Sequence, residues 1–185
     1  MAKLIILIGA PGAGKTTFAK GFEGKIVSTD SIRKSLYGGE SVEYSEEQAN
    51  FLIKENNISL DRLTKRQITK IKHELCVDYV FKIARKQCCE YLKNGENVIY
   101  DSVNFKTKYR KQILEEAQGL FSQCDVYYFD IPLRNLLLRN KSRARVEPKS
   151  VIRQIFKAIQ APQYKEGYDN IFRVTVDGNI ILIEK

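Results

Sequence analysis

The chain opens on Lys3-Leu4-Ile5-Ile6-Leu7-Ile8, an apolar run that leads straight into glycine and reads as a strand. Shorter runs of the same kind recur at Lys25-Ile26-Val27-Ser28, at Asn97-Val98-Ile99-Tyr100-Asp101 and at Cys124-Asp125-Val126-Tyr127-Tyr128-Phe129-Asp130. Between them the period changes to that of helices. A short helix runs through Thr17 to Lys20 and ends at Gly21 and Gly24, and Thr29 or Asp30 caps a second that closes at Gly38. Ser45-Glu46-Glu47-Gln48 has the form of a capping box, and Asn56-Asn57 reads as a break. From Thr64 the positions Ile68, Ile71, Leu75, Tyr79 and Ile83 recur at helical spacing, and the pattern continues through Tyr91 and Leu92 to Asn94-Gly95, so one long helix is the simplest account. Another covers 107–118, with Tyr109, Ile113, Leu114 and Ala117 inward and Gly119 as its stop. Pro132 suits the first turn of the next helix, and Val151, Ile152, Ile155, Phe156 and Ile159 give the one after it an apolar stripe read as core. The tail, 171–176 and 180–183 around Asp177-Gly178, has a hairpin signature. Strands alternating with helices predict an α/β architecture, a parallel sheet of about five strands flanked by helices, with ligands at the C-terminal edge.

Directly after the first strand stands Gly9-Ala10-Pro11-Gly12-Ala13-Gly14-Lys15-Thr16, which fits G-x-x-x-x-G-K-[ST] in the strand-to-helix context that a phosphate-binding loop requires. Gly9, Gly12 and Gly14 allow a tight turn in which backbone N–H groups, that of Ala13 among them, converge on phosphate, and the following helix adds its positive end. Lys15 is then placed for the β- and γ-phosphates, Thr16 for Mg²⁺ and Thr17 for the α-phosphate. Asp101 ends the third strand, where such a fold places the carboxylate that supports the Mg²⁺ shell. Asp30 follows the second strand with Arg33 one helical turn on; spacing alone leaves Asp30 equally a helix cap or a site residue. ATP with Mg²⁺ is the expected ligand pair of this P-loop NTPase fold.

Length, 185 residues, suits a single domain over 1–185, and the 43% hydrophobic content is that of an ordinary soluble protein. No internal repeat or linker is visible; residues 40–63 are polar and read as a mobile insert or lobe beside the substrate site. The opening apolar run is too short for a signal peptide or a membrane span, which predicts a cytoplasmic protein with no membrane partner. Cys76, Cys88, Cys89 and Cys124 form no C-x-x-C pair, and with His73 the single histidine there is no zinc set. The net charge of +9 suggests an anionic partner such as nucleic acid, although a nucleotide alone would also suit it. Much of that charge lies in Arg134, Arg139, Lys141, Arg143, Arg145, Lys149, Arg153 and Lys157, with Glu147 the only acid among them. Concentrated arginine suits bidentate phosphate contact, so 134–149 reads as a lid over the triphosphate.

Over nearly its whole length the chain resembles the P-loop kinases related to the kinase half of bacteriophage polynucleotide kinase, and the wider bacterial group of small ATP-dependent and toxin-type kinases. The residues that carry this are the loop with Thr17, Asp30 with Arg33, Asp101-Ser102-Val103-Asn104 with Arg110, Phe129-Asp130-Ile131-Pro132 and Arg139-Asn140-Lys141-Ser142-Arg143. The resemblance implies that Asp30 is the general base, that Arg33 and Asn104 hold the acceptor, and that Arg143 with Arg139 closes over the ATP phosphates. Asp101 sits three residues before Asn104, as in the wider group, and Gln160 to Tyr168 resembles that group's end pattern; the phosphatase signature of the phage enzyme is lacking.

The expectation is transfer of the γ-phosphate of ATP to the 5′-hydroxyl end of RNA or DNA. A kinase for a small metabolite or nucleotide sugar is the competing enzyme reading, since the loop does not fix the acceptor. A nucleotide-hydrolysing switch is a third, and Asp30 with Arg33 argues against it.

Overall fold

Strand β1 (Ala2–Ile8) lies in the interior of a sheet and is buried along nearly its whole length, with β3 (Val98–Asp101) on one side and β4 (Phe121–Phe129) on the other. The computed structural model describes residues 2–38, 44–143 and 145–185, in two compact units: Met1–Ser28 with Gln87–Lys185, and Thr29–Lys86. The first unit holds the whole sheet. Its order is β2-β3-β1-β4-β5-β6, with β2 spanning Lys25–Ser28, β5 Asn170–Val174 and β6 Ile180–Ile183. The first five strands in that order pair in parallel and β6 returns antiparallel to β5, so both the parallel sheet and the terminal hairpin are as the sequence predicts.

The chain passes from β1 to β2 on one side and, after β3, crosses β1 to reach β4 on the other. The C-terminal end of β1 is therefore where the connections diverge, which opens a crevice for a ligand. Helix α1 (Lys15–Ala19) follows the loop there and is anchored by Phe18, whose ring lies 5.0 Å from that of Tyr127 and 5.2 Å from that of Phe129. Tyr127 in turn stacks on Phe172 at 4.8 Å, so aromatic rings weld α1 to the β4–β5 side of the sheet. Buried Leu136 and Ile152 bring α6 (Leu133–Lys141) and α7 (Lys149–Ala158) into the same core. Phe156, read from the stripe as core, is 37% exposed, because the buried side of α7 narrows to Ile152.

The second unit is helical: α2 (Thr29–Tyr37), α3 (Glu46–Glu55) and the first part of α4 (Lys65–Lys93), with Ala49, Leu52, Cys76 and Val80 as its core. The Tyr37 hydroxyl donates to the Cys76 carbonyl at 3.1 Å, joining α2 to α4. Ser45 accepts from the Gln48 N–H at 3.1 Å, the cap read from the sequence, and Asn56 with the left-handed Asn57 closes α3. Helix α4 is continuous, and the boundary between the units falls within it. Helix α2 begins at Thr29, so Asp30 lies in its first turn and not at a cap. Of the expected insert, residues 40–43 lie outside the described residues, as does Ala144 of the expected lid. Among the described residues no helix is long and apolar enough to cross a membrane.

Candidate active site

Helix α5 (Thr107–Glu116) completes the set of elements around the phosphate loop, since the chain between β3 and α5 is tied to the base of that loop. The Gly9 N–H donates to the Val103 carbonyl at 3.2 Å, and the Asn104 side-chain amide donates to the Leu7 carbonyl at 2.8 Å. Gly9 is needed for approach: a Cβ there would lie 2.9 Å from the Cβ of Phe129, closer than packed carbons come. Gly14 is needed for conformation, at φ 99° just before α1, and the space its Cβ would fill meets nothing nearer than an Arg139 nitrogen at 4.0 Å. Helix α1 has only five residues, so the nest of loop N–H groups, more than a long helix dipole, supplies the positive field at this spot.

Lys15 is 9% exposed, and its ammonium donates to the Gly9 carbonyl at 2.7 Å and the Ala10 carbonyl at 3.2 Å. The Thr16 hydroxyl donates to Oδ2 of Asp101 at 2.7 Å across 85 positions of sequence, and Asp101 is only 4% exposed. The two Mg²⁺ ligands expected from sequence are thus side by side. Thr17, next along, is exposed. Among the described residues no group of three His, Cys, Asp or Glu gathers anywhere, so an ion held by Thr16 and Asp101 depends on phosphate oxygens and water for the rest of its shell. That is the usual way Mg²⁺ is bound with a nucleotide.

Of the two lid arginines, Arg139 is a brace. It donates to the Ala13 carbonyl at 3.2 Å and the Val176 carbonyl at 3.0 Å, which ties α6 to the loop and to the end of β5. Nη1 of Arg143 is buried and has no hydrogen-bond partner. A buried guanidinium nitrogen left without an acceptor is costly, and an anionic oxygen arriving with a nucleotide would satisfy it. The chain that carries Arg143 is clasped at its ends: Asn140 donates to the Glu147 carbonyl at 2.8 Å and accepts from the Glu147 N–H at 3.0 Å. Glu147 also pairs with Arg145 at 3.0 Å.

Asn104, expected to hold the acceptor, is 2% exposed, and its amide is engaged by Leu7. It stands at φ 48°, a left-handed position that asparagine tolerates well, and positions the chain that follows Asp101. Its backbone carbonyl accepts from Arg110 Nη1 at 3.0 Å. Arg110 is fully buried, with every N–H donor used: the others reach Gln160 O, Thr107 Oγ1 and both oxygens of Glu166 at 2.9 and 2.7 Å. Burial by itself would lower the guanidinium pKa, but Glu166 and Tyr168 outweigh it and hold the value above the ordinary one. Tyr168 donates to Glu166 at 3.0 Å, and burial, with Glu166 beside it, pushes its hydroxyl pKa up. The sequence shows Arg110 only as a motif residue; its carboxylate lies 56 positions away and no local signal joins them.

In the second unit Arg33 Nη1 donates to Asp30 Oδ1 at 2.9 Å, with the Asp30 side chain 66% exposed and that of Arg33 15%.

Residues 4–163 match the sequence family described as an AAA domain. The chain belongs to this family of P-loop kinases. It is 28% identical over 183 residues to an L-seryl-tRNA(Sec) kinase of Methanococcus maripaludis, covering 94% of this chain and 58% of the relative. The chain thus spans about three fifths of that relative's length. Among solved structures it is similar to a chain of the Pnkp1/Rnl/Hen1 RNA repair complex, with TM-score 0.61, 23% identity, and coverage of 85% of this chain and 44% of that one. A sugar kinase from Janibacter sp. HTCC2649 has TM-score 0.61, 16% identity, and coverage of 97% and 88%. At such identities these structures show the fold alone.

Proposed function

We propose that the protein is an ATP- and Mg²⁺-dependent kinase that transfers the γ-phosphoryl group of ATP to the 5′-hydroxyl end of RNA or DNA. The observation that carries the phosphoryl-transfer half is the 2.7 Å contact of Thr16 with buried Asp101 beside a loop whose lysine is held on its own carbonyls. The acceptor half is supported by the +9 charge, gathered in 134–157, and by the RNA-borne acceptor in the name of the curated relative.

In this reading the backbone of Gly9, Gly12, Ala13 and Gly14 cradles the phosphates and Thr17 reaches the α-phosphate. Lys15 exchanges its two carbonyls for β- and γ-oxygens. Mg²⁺ held at Thr16 and Asp101 would neutralise charge developing on the transferred group. Arg143 gives its orphaned nitrogen to the same phosphates, with Arg139 keeping the loop in place. Arg33 holds the acceptor and orients Asp30. As the acceptor oxygen bonds to the γ-phosphorus, the bond from that phosphorus to the β–γ bridging oxygen breaks, ADP leaves with its electron pair, and the hydroxyl proton passes to Asp30.

A second reading has one specific observation behind it, the 28% identity to an L-seryl-tRNA(Sec) kinase: the acceptor would be a hydroxyl carried on the aminoacyl end of a tRNA. Incubation with γ-labelled ATP and 5′-hydroxyl RNA, 5′-hydroxyl DNA, seryl-tRNA and a panel of small alcohols separates the acceptors. Asp30→Asn tests the chemistry. The variant should fold and bind MgATP but lose single-turnover transfer by about 10²- to 10⁴-fold, the usual worth of a positioned base. Near-parental transfer would remove Asp30 from the mechanism.

A further inference from the structure

Immediately after Asn104 the chain presents Phe105, Lys106, Thr107, Lys108 and Tyr109 at the C-terminal edge of the sheet. The rings of Phe105 and Tyr109 lie 5.6 Å apart, and both residues are half-buried. The Lys106 ammonium sits 5.5 Å over the Phe105 ring and that of Lys108 sits 4.9 Å over the Tyr109 ring. Among the described residues neither lysine has a carboxylate at ion-pair distance, whereas Lys111 on the next turn pairs with Glu115 at 3.5 Å. Two aromatic faces under two unneutralised cations form a surface suited to unpaired bases and their phosphates.

The segment is held firmly. The Phe105 carbonyl accepts from the Gln160 N–H at 2.8 Å, the Thr107 N–H donates to Gln160 Oε1 at 2.8 Å, and fully buried Arg110 grips the carbonyls of Asn104 and Gln160. It is also near the phosphate site. Phe105 is four Cα–Cα steps along the chain from Asp101, so their Cα atoms are at most about 14 Å apart by chain reach.

We propose that Phe105 and Tyr109, with Lys106 and Lys108, form the platform on which the first bases of a single-stranded nucleic-acid acceptor stack. The inference rests on the nucleic-acid reading above and adds the residues that recognise that class of acceptor. A cation–π contact at an exposed site is weak enough to be exchanged. On binding, each lysine moves from its ring to a phosphate and uncovers the face that a base then takes. A duplex end frees only the outer face of its terminal pair and keeps the next base stacked and paired, so a single strand, whose successive bases can splay, is preferred.

The test uses 5′-hydroxyl RNA and DNA single strands carrying 2-aminopurine at the first or second position. The double variant Phe105→Leu with Tyr109→Leu keeps apolar bulk but loses both π-faces. It should raise the oligonucleotide KM by at least about 5- to 150-fold, the worth of stacking one of the two bases, and abolish the 2-aminopurine quenching seen with the parent. Lys106→Gln with Lys108→Gln should flatten the slope of log KM against log salt by about 1.4, the share of two single-strand phosphate contacts. If the leucine variant fails to melt as a folded protein, the glutamine variant decides. Parental KM, quenching and salt slope in the folded variants would overturn the platform while leaving the kinase reading intact. A parent that phosphorylates neither RNA nor DNA overturns the acceptor assignment itself, and the platform with it.

Discussion

Arg110 meets Glu166 with the two side chains 0% and 6% exposed, and Arg33 meets Asp30 with the carboxylate 66% exposed. The first pair is bidentate, the second a single bond. Fully desolvated charges must be completely hydrogen-bonded to be tolerated at all, so the Arg110 pair can serve only as a fixed strut. An exposed pair contributes at most about 1 kcal/mol, so Asp30 and Arg33 can release one another for a substrate at little cost. Arg143 lies between these extremes, with one nitrogen buried and unbonded. One residue type thus stands in three settings, a buried and fully bonded pair, a pair whose carboxylate is open to water, and a buried nitrogen without an acceptor.

Substitutions at the three arginines would break or sharpen that division. Arg110→Met strands the Glu166 carboxylate in the interior and should lower stability by about 3–5 kcal/mol in urea unfolding. Adding Glu166→Leu should recover part of the loss, because no charge is then left buried; no recovery would mean that the carbonyls of Asn104 and Gln160 are the main beneficiaries of Arg110. Arg143→Ala should slow single-turnover transfer by about 10³-fold, the low end for an arginine that stabilises transition-state charge, with nucleotide affinity changed less. Arg143→Lys should rescue poorly, since a point charge cannot reproduce the fork. Normal turnover in the alanine variant would pass the role to Arg145 or Arg139. Smallest is the loss of coupling between Arg33 and Asp30, under about 1 kcal/mol in a double-mutant cycle read by thermal melt. A larger loss would place Arg33 with the struts.

The strands, the phosphate loop and the Thr16–Asp101 meeting were legible because each rests on a local pattern: an apolar run, a glycine spacing, an acid at a strand end. Likewise Ser45 announces its own helix. Asn104 was legible as a motif residue but not as a tie to Leu7, since its partner is a backbone carbonyl 97 positions away and every residue carries one. Arg110 and Glu166 were invisible as a pair for the same reason. Phe156 belongs to an apolar stripe, yet only Ile152 of α7 is fully buried, and stripe width is set by what the helix packs against.

The Asn140–Glu147 clasp has a consequence for binding thermodynamics. Bringing the ends of that loop together costs conformational entropy, and here the closure belongs to folding, before any nucleotide arrives. The share of that cost covered by the Asn140–Glu147 bonds falls on the folding equilibrium and not on nucleotide affinity. Loop-closure entropy rises by only about 0.6 kcal/mol for each doubling of length, so inserted residues between Lys141 and Glu147 would be tolerated by the fold far better than by Arg143, whose placement depends on the chain being short.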